Sequence, residues 1–100
     1  MPSQVLNRWN DLGNGITTLT VMSNAVGEVD VLVDSEIVPQ LQIYRWGYDK
    51  KTRRFSYGEA YTRTYLHRKI AEIYEKAAVA TVNTRDPFDL RKSQMLWRPA

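Results

Sequence analysis

The segment from Tyr44 to Tyr74, YRWGYDKKTRRFSYGEAYTRTYLHRKIAEIY, constrains the fold most strongly because its residue pattern changes period once. Its first 22 residues hold seven of the eleven aromatic residues of the chain, interleaved with arginine and lysine. From Phe55 to Tyr65 the odd positions follow a period of two, which predicts a strand with an aromatic and basic face. From Leu66 the apolar residues recur at helical spacing, which predicts an amphipathic helix over about residues 66–78.

The residues before the period change predict a series of β-hairpins. Ile16–Val21 and Asp30–Val33 are apolar and β-branched, and the turn-forming residues of Ser23–Glu28 separate them. Pro39 argues against a central strand and allows at most a helical turn beginning near residues 34–35. A further strand is predicted over residues 41–48, and the polar loop DKKTR connects it to the aromatic strand.

The two ends of the chain carry weaker patterns. Residues 1–15 contain asparagines and glycines around Trp9 without a clear period, so we expect an irregular N-terminal arm. Residues 78–84 predict a short strand that ends before a proline. Apolar and basic residues at near-helical spacing predict a second short helix over about residues 88–96, with Trp97 as a closing core residue.

Length and composition predict a single domain over residues 1–100. The strand and helix patterns make it α+β, with small antiparallel sheets or hairpins, one main amphipathic helix and a short C-terminal helix. In this interpretation residues 1–15 form the arm, residues 16–48 a β-rich acidic half, and residues 49–100 a basic half of hairpin, helix, turn and helix. The absence of cysteine excludes disulfides and thiolate metal sites. The first residues lack a signal-peptide pattern and no apolar run approaches about 18 residues, so we expect a cytoplasmic protein without a membrane partner.

Charge is divided unevenly along the chain. Residues 1–44 carry one basic and five acidic side chains, a net charge of −4, whereas residues 45–100 carry thirteen basic and six acidic ones, a net charge of +7. A basic half favours an anionic partner, either nucleic acid or an acidic protein face, although such residues also serve solubility alone. The acidic residues have two interpretations, a solubilising hairpin edge or a contact with a basic groove of a partner protein; they are Glu28, Asp30, Asp34 and Glu36.

Basic residues between aromatic ones are typical of nucleic-acid surfaces, because Arg and Lys contact phosphates while aromatic rings stack or pack. The loop KKTRR is the strongest candidate, since it carries four positive charges in five residues; its alternative is a solvated hairpin tip. Trp46 and Tyr65 are expected inside the protein. Arg91 and Lys92 of the second helix are expected to form a second basic cluster with Arg68 and Lys69 of the first helix. The predicted binding residues are Arg45, Lys50, Lys51, Arg53, Arg54, Arg63, Arg68, Lys69, Arg91 and Lys92.

Three motifs occur in an order that resembles the phage-type HNH homing endonuclease family of small phage proteins. VLVDSE followed by YRW is similar to the segment near the front of that family. TYLHRKIAEIY resembles its strand-to-helix signature, and DLRKSQMLW resembles its closing helix. Together the motifs span Val31 to Trp97 and imply a ββα HNH-like fold of phage origin.

The same resemblance implies that the catalytic centre has been lost. Val82 occupies the position of the histidine that acts as general base in these nucleases, and valine cannot accept a proton. Gln94 replaces the asparagine or histidine that helps to hold the metal, which leaves Asp89 alone. His67, the only histidine of the chain, corresponds to a residue that opens the helix and serves packing. We therefore expect no metal, cofactor or small-molecule ligand.

These observations predict a non-catalytic phage-type protein that binds DNA through its basic and aromatic surface, in the cytoplasm of an infected bacterium. The first alternative is a phage-encoded inhibitor that docks on a host DNA-processing or defence nuclease complex. The second alternative is an active metal-dependent nuclease that uses His67 as its base.

Overall fold

The computed structural model describes residues 7–23, 25–58, 63–74, 78–81 and 86–99. Within these ranges the chain forms two three-stranded antiparallel sheets, ordered β1-β2-β3 and β4-β5-β6, a two-stranded sheet of β7 and β8, and two short helices. The predicted α+β class is confirmed. The elements are β1 (Asn7–Gly13), β2 (Ile16–Ser23), β3 (Gly27–Asp34), a 3-10 turn (Ser35–Ile37), α1 (Val38–Leu41), β4 (Gly47–Asp49), β5 (Arg54–Tyr57), β6 (Thr64–Tyr65), α2 (Leu66–Tyr74), β7 (Ala78–Thr81), a 3-10 turn (Lys92–Gln94) and β8 (Leu96–Pro99).

The hairpin of β2 and β3 confirms the pattern of apolar strands around a turn. Its strands pair antiparallel with Leu19 opposite Val31. Because side chains alternate between the faces of a strand, Leu19 and Val21 on β2 share one face with Val31 and Val33 on β3. All four are fully buried and form the side of the core that the first sheet contributes.

The prediction of an irregular N-terminal arm is wrong for Asn7–Gly13. These residues form β1, which pairs antiparallel with β2. Gly13, Asn14 and Gly15 have φ angles of 86°, 57° and 78°, a left-handed conformation that glycine and asparagine tolerate best. This turn directs the chain back into β2, and it was present in the sequence as the tripeptide Gly-Asn-Gly.

The predicted helical turn after the first hairpin is confirmed by the 3-10 turn and α1. Pro39 lies in the first turn of α1, where a missing N–H costs no helical hydrogen bond. The strand predicted over residues 41–48 is wrong for most of its length, because Leu41 ends α1 and β4 begins only at Gly47. Trp46 is fully buried as expected, and its indole Nε1 donates to the Leu41 carbonyl at 3.0 Å. This bond folds the connection back onto α1.

The polar loop predicted after β4 is confirmed. The single aromatic strand predicted from Phe55 to Tyr65 is wrong, because two separate strands, β5 and β6, lie at its two ends. β5 ends at Tyr57, followed by Gly58 with a φ of 97°, and β6 contains only Thr64 and Tyr65. Residues 59–62 lie outside the described residues. Phe55 is buried in the core, but Tyr65 is half-buried.

The amphipathic helix is confirmed as α2, which buries Leu66, Ile70 and Ala71 against the sheets. Its predicted end near residue 78 is wrong because Ala78 begins β7, and residues 75–77 lie outside the described residues. The strand predicted over residues 78–84 is confirmed as far as Thr81, beyond which the prediction falls outside the described residues.

The second helix, predicted over residues 88–96, is wrong. Leu32 N donates to the Phe88 carbonyl at 2.9 Å, and Leu90 N donates to the Leu32 carbonyl at 2.8 Å. These bonds make a parallel bridge between β3 and the segment around Asp89, which holds that segment extended. Helical spacing is therefore overridden by pairing with a distant strand. Trp97 is half-buried on β8 and packs against the core.

Candidate nucleic-acid interface

The β4–β5 hairpin brings four of the ten predicted basic residues to one cleft of about 680 Å³, here called the hairpin cleft. Lys50 and Lys51 come from its loop, and Arg45 and Arg63 precede β4 and β6. All four are exposed residues. Met22 and Ser23 at the end of β2, and Ala25 after it, also line the cleft.

The hairpin loop has a defined local structure that places the lysines at the cleft. Asp49 Oδ1 accepts the Lys51 backbone N–H at 2.9 Å, and the Asp49 carbonyl accepts the Arg53 N–H at 2.8 Å. Arg53 has a φ of 56°, the left-handed conformation that closes the turn. An Asp side chain that bonds the backbone two residues later is a recurrent turn device. Arg53 itself is exposed and does not line the hairpin cleft.

An aromatic cluster of the core forms part of the hairpin cleft. The Tyr57 ring, which lines the cleft, stacks on Tyr44 with centroids 4.1 Å apart and meets Trp46 edge-on at 5.0 Å. Tyr48 also lines the cleft and packs against Phe55 at 5.0 Å. Since Trp46 and Phe55 are buried, the aromatic part of the cleft is held by the core.

Positive charge dominates the hairpin cleft. Asp49 is the only carboxylate among its described lining residues, beside four cationic side chains. Arg63 approaches Asp49 at 4.0 Å, with side chains 37% and 34% exposed. A long, solvated ion pair of this kind contributes little free energy, so it leaves the arginine able to contact an anion.

A second cleft, of about 330 Å³, is called the His67 cleft and collects two further predicted residues, Arg54 and Arg68. Thr52, Tyr65 and His67 complete its lining. The His67 ring stacks on Tyr65, with centroids 5.8 Å apart. Burial lowers the pKa of His67 from 6.5 to about 4, with further lowering by the charges of Arg54 and Arg68. The imidazole is therefore neutral at pH 7.

The remaining predicted basic residues, Lys69, Arg91 and Lys92, contact partners within the protein and line neither cleft. Lys69 Nζ lies 5.1 Å from the Tyr44 ring centroid and 3.5 Å from Glu72. Lys92 Nζ lies 4.8 Å from the centroid of the Tyr74 ring. Arg91 binds Asp89 through two side-chain hydrogen bonds, of 2.8 and 2.6 Å.

The four acidic residues that were considered for a partner contact, Glu28, Asp30, Asp34 and Glu36, serve as partners for groups of the same chain. Glu28 pairs with Arg8 at 3.1 Å, and Asp30 accepts the Thr20 hydroxyl at 2.6 Å. Asp34 accepts the Lys92 backbone N–H at 2.7 Å, and Glu36 accepts the Tyr74 hydroxyl at 2.8 Å. Burial and the bond to Glu36 raise the pKa of Tyr74.

Of the three positions that the nuclease resemblance assigns to the catalytic centre, Asp89 and Gln94 lie within the described residues and Val82 does not. The Asp89 carboxylate is bound by Arg91, and Gln94 is exposed and donates to Ser93 Oγ at 3.4 Å. Over the described ranges, no three His, Cys, Asp or Glu side chains are grouped to hold a metal ion. The segment that resembles the family's closing helix is a 3-10 turn and a strand, and the resemblance itself stays a prediction.

Sequence reasoning missed several residues of this interface. Asp49, Ser56, Tyr48 and Tyr57 line the hairpin cleft without having been selected. An Asp directly before a polar loop was the available signal for the turn. Asn7 was also missed: its Nδ2 donates to the Trp46 carbonyl at 2.9 Å, and its Oδ1 accepts the Trp46 N–H at 2.7 Å. That clamp connects β1 to the aromatic cluster.

No protein-family model, curated protein or solved structure matches this chain. In the described part of the chain, no helix has the length and apolar character needed to cross a membrane.

Proposed function

We propose that this chain is a non-catalytic protein that binds nucleic acid, with DNA as the expected partner, through the hairpin cleft. The observation that carries the proposal is the convergence of Arg45, Lys50, Lys51 and Arg63 around a single carboxylate. Clustered cations gain affinity for a polyanion by releasing its condensed counterions. Contacts of this kind position a backbone and do not read its sequence.

The form of the hairpin cleft supports a polymer over a small ligand. A small-molecule site buries most of its ligand between apolar walls. Here the four cations are exposed to solvent, so they can contact a charged backbone without enclosing it. The tyrosines that line the cleft are half-buried and engaged in the aromatic cluster, so they offer packing edges to a sugar or base.

The direct test is fluorescence anisotropy with labelled single-stranded and duplex DNA at several salt concentrations. If four phosphates are neutralised, log K should fall with log salt with a slope of about −3 to −4. The Lys50→Gln/Lys51→Gln variant should reduce the slope by about two. Arg8→Gln/Lys92→Gln removes the same charge away from the cleft and is the matched control. Equal slopes for both double variants would show that only net charge matters, and salt-independent binding would refute the proposal.

Asp49 provides a sharper test because it is the carboxylate within the cleft. Asn can still accept the Lys51 N–H, so Asp49→Asn keeps the turn while removing the negative charge beside Arg63. We expect DNA affinity to rise by about two- to fivefold, as for a surface electrostatic change of about 0.5–1 kcal/mol.

The matched control for this variant is Asp11→Asn. Asp11 Oδ1 accepts the Gly13 N–H at 2.8 Å, so it plays the same part in the turn of the other sheet. Both substitutions change the net charge equally. An equal gain in affinity from both would contradict a role for the hairpin cleft.

The two alternatives derived from the sequence remain predictions with their own tests. For the inhibitor, the tagged protein is expected to retain a host nuclease complex from lysate, although the acidic residues proposed for that contact are partners of groups within the chain. For the nuclease, cleavage in Mg²⁺ or Mn²⁺ must disappear in His67→Ala. The lowered pKa of His67 makes it a weak base at neutral pH, which argues against the nuclease, whereas the two arginines beside it suit an anion contact.

A further inference from the structure

The His67 cleft is a concave site that exists only in the folded chain. Thr52 and Arg54 reach it from the hairpin loop and β5, Tyr65 from β6, and His67 and Arg68 from the first turn of α2. Four segments of the second half of the chain therefore converge on it: the hairpin loop, β5, β6 and α2. Its volume of about 330 Å³ admits a tetrahedral oxyanion with its hydration water.

The electrostatic character of this cleft is entirely positive. None of its five described lining residues is acidic. Arg54 Nη1 donates to the Thr52 carbonyl at 3.3 Å, which uses one of the five N–H donors of a guanidinium group. In contrast, Arg8 and Arg91 each lie within 3.1 Å of a carboxylate oxygen of the protein. Two arginine side chains therefore line one concavity, and the planar guanidinium group is suited to bidentate contacts with phosphate oxygens.

His67 adds polar capacity to the cleft without adding charge. The charged and titratable groups that face it are Arg54 from β5, Tyr65 from β6 and Arg68 from α2. Burial and the two positive neighbours keep its ring neutral, so that one nitrogen donates and the other accepts. An anion placed between the arginines would offset their effect on the imidazole.

We propose that the His67 cleft binds a phosphate group through the guanidinium groups of Arg54 and Arg68. The site is separate from the hairpin cleft and does not depend on the function proposed for it. Arg54 lies two residues from Ser56, which lines the hairpin cleft, a separation of about 7 Å along a strand. A nucleic-acid strand in the hairpin cleft is therefore one source of the phosphate, and free inorganic phosphate is the other.

The single histidine makes the test direct, because one pair of imidazole proton signals reports on the site without assignment. The pKa of His67 is measured by NMR in chloride and in phosphate at equal ionic strength, while circular dichroism monitors folding at each pH. We expect phosphate to raise the pKa by about one unit or more, the size of a nearby opposite charge. Coincident titration curves in the two buffers would overturn the proposal.

Variants separate a bound phosphate from a general salt effect. Arg68→Gln removes one exposed guanidinium; in chloride it should raise the pKa of His67, and it should abolish most of the phosphate response. Arg54→Gln is the second variant with the same expectation. Lys51→Gln, which alters only the hairpin cleft, should retain the full response. An unchanged response in both arginine variants would refute the assignment.

An oligothymidylate without terminal phosphate identifies the source. A shift of the His67 signals with this probe assigns the site to a backbone phosphate, and a shift with inorganic phosphate alone assigns it to the free ion. If neither probe moves the signals, the proposal fails. Loss of the oligonucleotide shift in Lys50→Gln/Lys51→Gln, with the inorganic-phosphate shift retained, would show that the strand reaches the His67 cleft by way of the hairpin cleft, while the phosphate site itself does not require those lysines.

Discussion

Asn7 is expected to stabilise the fold far more than an exposed strand residue should, because its amide forms two hydrogen bonds with the backbone of Trp46. The two bonds measure 2.9 and 2.7 Å and join residues 39 positions apart. Each such bond contributes about 0.5–1.5 kcal/mol net. Asn7→Ala should therefore destabilise the protein by about 1–3 kcal/mol, toward the upper end if the Trp46 backbone groups stay unsatisfied in the buried environment.

The assay is equilibrium unfolding in urea, followed by tryptophan fluorescence and circular dichroism, with a thermal scan as a second measurement. For a domain of this size each kcal/mol lowers Tm by about 4–8 °C. Asn10→Ala is the matched control, since it makes the same substitution on the same strand at an exposed position. We expect it to change the free energy of unfolding by less than about 0.5 kcal/mol.

One further variant helps to locate the cause of any effect. Asn7→Asp retains an acceptor for the Trp46 N–H but sets a carboxylate against the Trp46 carbonyl, so it should also destabilise. If Asn7→Ala and Asn10→Ala cost the same, the clamp contributes nothing and the reasoning is wrong.

The remaining predictions concern a partly buried ion pair and acid stability. Arg91→Ala should destabilise by about 1–3 kcal/mol because it removes the two side-chain hydrogen bonds to the buried Asp89 carboxylate; Asp89→Asn should cost less in the same urea assay. The folded-state pKa of His67 lies below its unfolded value, so its contribution is complete above about pH 6.5 and is lost as the pH falls toward 4. Discounted for partial exposure, this amounts to about 1–2 kcal/mol, and His67→Gln should flatten the pH dependence across that window. An unchanged acid limb in His67→Gln would contradict the assigned burial.

Local patterns predicted those elements whose stability comes from neighbouring residues. The β2–β3 hairpin, the polar loop after Asp49 and helix α2 all follow from periodicity and turn chemistry within about ten residues. The Gly-Asn-Gly turn after β1 also follows from local residues. Strand β1 itself was missed because its asparagines and the glycines of the turn are typical of an irregular segment.

Other parts of the fold depend on contacts that no local pattern contains. The segment around Asp89 has helical spacing but pairs with Leu32, more than fifty residues earlier. The connection before Trp46 has strand composition but folds back to bond the indole to Leu41. In both cases a tertiary contact outweighs a preference of a few tenths of a kcal/mol per residue. The hairpin cleft was predictable only in part for the same reason. The exposed lysines of the loop could be predicted from the sequence, but their proximity to Arg45 and Arg63 depends on the pairing of β4, β5 and β6.

The relation between core and cleft determines which changes can alter binding without altering the fold. Tyr57 belongs to both, because it lines the hairpin cleft while stacking on Tyr44 and contacting buried Trp46. A substitution there must change stability and binding together. The lysines at positions 50 and 51 belong to the cleft alone: they are exposed, and the loop that carries them is closed by the side chain and carbonyl of Asp49. Their charge can therefore change without altering the aromatic contacts below them, so substitutions there should change the proposed binding and leave the shape of the cleft, which the core holds, unchanged.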